Sequence, residues 1–104
     1  MKFSYELKIP KERIAVLVGK GGKVKSRLEH ELGISVRVDS SEGEIILSGD
    51  DSLKLKTGES VVTAIGRGFG PREAFLLLKP DYCLVIVNID DFVGGSRNAL
   101  IRMR

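Results

Sequence analysis

The sequence predicts an α+β domain, and three observations carry that expectation. Apolar and polar residues alternate near the N-terminus and again over residues 34–39; two short stretches of helical spacing meet at Gly19-Lys20-Gly21-Gly22; and a longer helical stretch runs to Gly66. Periods of two and of 3.6 in one short chain mean strands and helices that cover one another's apolar faces.

Phe3, Tyr5, Leu7 and Ile9 alternate with Lys2, Ser4, Glu6 and Lys8, the pattern of a half-buried strand, and Pro10 ends it. Residues 11–18 place Ile14, Leu17 and Val18 at helical spacing and stop at Gly19. A second helix begins near Gly22, where Val24, Leu28 and Leu32 recur every fourth residue before Gly33 supplies the stop. Ile34, Val36 and Val38 then alternate with Ser35, Arg37 and Asp39, and residues 45–47 form another apolar run beyond the polar Ser40-Ser41-Glu42-Gly43, so a hairpin is expected. Asp50-Asp51-Ser52 is a cap for a helix reaching Gly66-Arg67-Gly68, weakened in its first turns by Thr57-Gly58. Pro71 opens a further helix over residues 71–78, with Glu73 near the positive end of its dipole, and Pro80 closes it. Residues 83–89 are a β-branched run suited to a buried strand, while residues 90–104 have no clear period and end basic.

The 104 residues, 42% hydrophobic, supply one core and leave no room for a second complete domain. With 30% charged residues and only 3 prolines the chain is neither disordered nor collagen-like. No apolar run approaches the roughly 20 residues of a membrane helix, and Met1-Lys2-Phe3-Ser4-Tyr5-Glu6 is charged where a signal peptide is apolar, so a cytoplasmic protein without a membrane partner is expected. Cys83 is the only cysteine, which rules out an internal disulfide or a cysteine-based zinc site within one chain; it is read as a core residue. His30, between Glu29 and Glu31, reads as a surface residue and not as a general base, and Asp50-Asp51 and Asp90-Asp91 lack a third ligand. Neither catalysis nor a cofactor or metal is expected.

The net charge of +3 is unevenly spread. Residues 1–38 hold nine Lys or Arg against four Glu, a local +5, whereas residues 39–56 carry −3. From residue 20 to 28 there are four cations and no acid, around the glycine loop. Such a concentration is an electrostatic footprint for phosphates. Glycines at both ends of a tight link between helices let the main chain adopt positive φ and approach a sugar-phosphate backbone without a Cβ in the way. The unpaired N–H groups that open the second helix sit at the positive end of its dipole. Lys20 and Lys23 add charge. Other phosphate motifs fail: a Walker A loop would need glycine at position 17 and Ser or Thr at 24, where Leu17 and Val24 stand, and Gly66-Arg67-Gly68-Phe69-Gly70 follows a helix where a dinucleotide fingerprint follows a strand.

The element order over residues 3–68, with the stretch IAVLVGKGGKVKSRLEHELGISVRVD, resembles a type I KH domain (β-α-α-β-β-α). The resemblance implies a loop, Gly19, Lys20, Gly21 and Gly22, that clamps about four nucleotides of single-stranded RNA, with bases in an apolar groove between the second helix and the strand after it. It assigns Val18, Val24, Leu28 and Val36 to that groove and the cations Lys23, Lys25, Arg27 and Arg37 to its surroundings. One departure stands out. Many family members have an aliphatic residue three positions after the last loop glycine, where this chain has Lys25, with Val24 one position earlier.

A second stretch, AIGRGFGPREAFLLLKPDYCLVIVNID, looks like the linking segment of the archaeal pre-ribosomal KH proteins called partner of Nob-one, which carry two KH modules. That resemblance implies a role in small-subunit ribosomal RNA maturation near the 3′ end of that RNA, and partners in the Nob-one endonuclease and the alpha subunit of initiation factor two. It divides the chain into a KH domain at 1–70 and a helix and strand extension at 71–104, where residues 83–89 would open a second module. A strand so apolar needs a partner: an edge of the first module, a second chain, or the helix at 71–78. The competing reading is a KH-fold scaffold for protein interaction in ribosome assembly or translation initiation that binds little RNA, since Asp39, Glu42 and Glu44 would repel phosphates at the groove's open edge.

Overall fold

The computed structural model describes residues 2–86 and 99–104. A three-stranded antiparallel sheet forms from β1 (Phe3–Lys8), β2 (Ser35–Asp39) and β3 (Glu44–Gly49), in the order β1-β3-β2. Val36 lies opposite Leu47 and Val38 opposite Ile45, so the apolar residues of each strand share one face. The other face is polar: Glu6, Ile46 and Arg37 align across it, as do Lys8, Glu44 and Asp39. One face must be covered, and three helices do so: α1 (Lys11–Val18), α2 (Lys23–Leu32) and α3 (Ser52–Gly66). Leu17, Leu28, Ile45, Leu47, Leu55, Val61 and Ile65 are fully buried between the layers.

The doubtful start of α3 is firm. Asp51 Oδ1 accepts the N–H groups of Leu53 at 3.0 Å and Lys54 at 3.3 Å, a cap of the kind worth about 1 kcal/mol. Gly58, which weakens the helix by propensity, is buried where a Cβ would come within 2.8 Å of Ile34 Cδ1 and 3.5 Å of Leu32 and Leu47. The missing side chain lets the helix sit close on β3 and on the turn from α2 into β2. Arg13 of α1 ties the other end of α3, its guanidinium donating to the carbonyls of Ile65 at 2.7 Å and Phe69 at 2.8 Å.

The expected helix at 71–78 is two elements: one α turn, α4 (Pro71–Ala74), and a 3-10 turn, Phe75–Leu78. The tightening precedes Lys79, which is extended at ψ 137° as the residue before Pro80 must be. Ala74, Phe75 and Leu77 join the core. The last expected strand is present as β4 (Tyr82–Ile86), in which Cys83 is half-buried; residues 87–89 lie outside the described residues. The strand packs against the Phe75–Leu78 turn, one of the three partners expected, but its hydrogen-bonded partner is none of them. β4 pairs antiparallel with β5 (Ala99–Met103), from the stretch that has no clear period in sequence, with Leu84 opposite Ile101 and Ile86 opposite Ala99. Pairing supplies the ladder that residues 99–103 could not announce by themselves.

Candidate nucleic-acid interface

The glycine loop is a main-chain device. α1 ends with Gly19 at φ 77° and ψ 170°, a region only glycine occupies readily, and Gly21 and Gly22 follow at φ 64° and 76°. The Gly22 N–H donates to the Gly19 carbonyl at 3.1 Å, closing a single 3-10 turn over Lys20–Gly22. The glycines differ in purpose. A Cβ on Gly19 would clash with Val24 Cγ2, so this residue lets the loop close on α2, whereas nothing lies within 4 Å of a Cβ on Gly21 or Gly22. Those two face open space. Gly19→Ala should therefore cost at least about 2 kcal/mol from backbone strain and overpacking, and Gly21→Ala only about 1 kcal/mol from backbone strain. Urea denaturation midpoints of the two variants check this; equal losses would contradict the separation.

α2 begins at Gly22 with no side-chain cap and no acid in its first turn. Lys23 and Lys25 stand there instead, against the helix dipole, an arrangement that costs about 0.3 to 1 kcal/mol per charge unless an anion is held at the same place.

Farther along, α2 has two working flanks, because residues three and four apart share a side. Lys25 and Glu29 form one. Lys25 Nζ is 3.5 Å from Glu29 Oε1, and Glu29 Oε2 accepts the main-chain N–H of Val36 at 2.9 Å, tying the helix to the open side of edge strand β2. Lys23, Val24 and Arg27 form the other flank. They face α4 and the 3-10 turn across an open cleft of about 430 Å³. Four cations line it, Lys23, Arg27, Arg72 and Lys79, over apolar Val24, Pro71, Phe75 and Leu76. The Arg27 guanidinium rests 4.3 Å from the Phe75 ring centre, a cation–π contact.

The predicted residues therefore do not form one surface. Gly19 to Val24, together with Arg27, make a continuous strip. Val18 is half-buried beside the loop. Leu28 and Val36, expected as groove contacts, are 0% and 2% exposed, so they support the surface from beneath and offer no contact area. Arg37 is a correction: it lies on the opposite sheet face from the helices, in a depression with Asp39 and Glu44, because successive strand residues alternate sides and Val36 takes the inner one. In that depression the Ser41 hydroxyl donates to Asp39 Oδ1 at 2.7 Å, holding the Asp39 carboxyl below its ordinary pKa. Glu29, Arg72, Phe75 and Lys79 were not anticipated. Their roles depend on contacts between segments that no local pattern relates.

His30 is exposed on α2. Among the described residues no three His, Cys, Asp or Glu side chains converge as a metal site would require, and no helix is long and apolar enough to cross a membrane.

A sheet of order β1-β3-β2 backed by three helices, with a left-handed glycine turn joining the first two, defines a KH-type nucleic-acid-binding module. The KH domain family model matches residues 4–66, and the chain belongs to that family. A KH domain-containing protein of Methanocaldococcus jannaschii is 38% identical over 102 residues, covering 94% of this chain and 44% of its own length. Dim2p of Pyrococcus horikoshii OT3 superposes with a TM-score of 0.80 at 39% identity, over 86% of this chain and 56% of that one. A crystal structure of an a/eIF2alpha-aDim2p-rRNA complex from the same organism matches with a TM-score of 0.81 at 39% identity, over 86% and 53%. The chain spans about half the length of these relatives.

Proposed function

We propose that this chain is a non-catalytic module that holds single-stranded ribosomal RNA during assembly of the small ribosomal subunit. The observation that carries the reading is the loop: three glycines of positive φ open the N-terminus of α2, where Lys20 and Lys23 stand with no acid in the helix's first turn and Lys25 follows, paired with Glu29. An anionic backbone answers both the free space and the charge. In this reading Gly19 to Gly22 clamp the sugar-phosphate chain, Lys20, Lys23 and Lys25 neutralise phosphates, and residues 1–70 are the working unit, with 71–104 an extension of it.

A similar protein in a complex with rRNA and a/eIF2alpha supports ribosomal RNA as the ligand and the alpha subunit of initiation factor two as a partner. The RNA bound lies near the 3′ end of the small-subunit RNA, the Nob-one endonuclease is a second partner, and the site of action is the cytoplasm.

Titration with short single-stranded RNAs of mixed sequence tests the reading. About three or four phosphates neutralised at about 0.7 each give a log-log salt slope of about −2 to −3. Absent or salt-independent binding would instead favour a scaffold that meets proteins.

A further inference from the structure

We propose that the cleft between α2 and the segment at 71–79 is a second contact for single-stranded RNA, taking a nucleotide beyond those held by the glycine loop. The inference rests on the RNA-binding reading above and extends it to residues that reading does not use.

Charge is the first argument. Lys23, Arg27, Arg72 and Lys79 line the cleft, and no acid does; Glu31, one turn on, stands 4.0 Å from Arg27 Nε. Position is the second. Lys23 and Val24 are the first residues of α2, directly after the loop, so a strand whose phosphate sits at the start of that helix is led into the cleft without crossing neutral surface. Preorganisation is the third: Arg27 is already seated on Phe75, which lowers the ordering cost of using its guanidinium as a platform for a base. At about 430 Å³ the space is within the range of small-molecule sites. An RNA occupant fits better than a protein one, because Phe75 is only 7% exposed and the floor lacks the open aromatic anchor of a protein hot spot. Cations beside a stacking platform are the usual equipment of single-strand binding.

The test compares mixed-sequence RNA pools of four and eight nucleotides on the wild-type chain and on a variant with Arg72→Glu and Lys79→Glu. Both side chains are exposed and outside the loop, so the melting temperature should hold. The wild type should bind the longer pool more tightly. The variant should keep its affinity for the short pool and lose roughly tenfold for the long one, as two attractions for phosphate become repulsions while the Arg27 platform stays in place. Its salt slope on the long pool should shrink by about 0.7 per cation removed. Unchanged long-pool affinity and slope would overturn the cleft and leave the loop reading standing, provided loop variants still abolish binding. An equal loss on both pools would overturn it as a separate contact, and failure of the wild type to bind either pool would overturn both readings together.

Discussion

Replacing Lys20 and Gly21 together by aspartate is expected to reduce affinity for short single-stranded RNA by at least about a hundredfold, since attraction for phosphate becomes repulsion at the point of closest approach. The fold should survive. A side chain at Gly21 meets nothing within 4 Å, and aspartate is among the residues that tolerate positive φ, so the cost is about 1 kcal/mol. That corresponds to a drop of roughly 4 to 8 °C in melting temperature for a domain of this size. Fluorescence anisotropy with labelled RNA, beside thermal melting by circular dichroism, gives both quantities. Wild-type affinity in the folded variant would remove the loop from the site.

Leu28→Ala should act in the opposite way. By spacing, Leu28 sits at the centre of the apolar stripe of α2, and the KH resemblance implies that it also lines the groove; in the structure it is fully buried among the sheet and helices. Truncation then leaves a cavity, with a loss of about 2 to 5 kcal/mol from a total on the order of 5 to 15 kcal/mol. Chemical denaturation should show that loss. RNA affinity, measured on the fraction that remains folded, should change by less than about threefold. A large affinity change with little loss of stability would mean that Leu28 reaches the surface when RNA binds.

Local order was readable wherever its cause is local. The alternation of Phe3, Tyr5 and Leu7 and the spacing of Val24, Leu28 and Leu32 report which side of each element is buried, because backbone geometry imposes periods of two and 3.6 on any residue that must leave water. Gly19, Gly21, Gly22 and Gly33 punctuate helices for a reason contained in their own φ angles. The cations of residues 20–27 crowd the loop in sequence and so crowd it in space.

Two readings stopped short for a related reason. The residues at 71–78 carry the composition of a helix, but Pro80 forces Lys79 out of the α region and the last turn tightens. Residues 99–103 have no strand signature of their own and become a strand because β4 presents a ladder to them.

The sequence by itself determined the α+β class, the order of elements through α3, the glycine loop and the positive charge about it, all of which follow from interactions within a few residues. Only the tertiary structure decided which face of each element the loop's neighbours share. Arg37 falls on the far side of the sheet because Val36 is drawn into the core. Arg27 joins Phe75, 48 positions along the chain, because the segment at 71–79 folds back onto α2. The physical reason is burial: contacts between distant segments are chosen by which apolar surfaces can be covered together, a property of the whole packed chain that no single stretch contains.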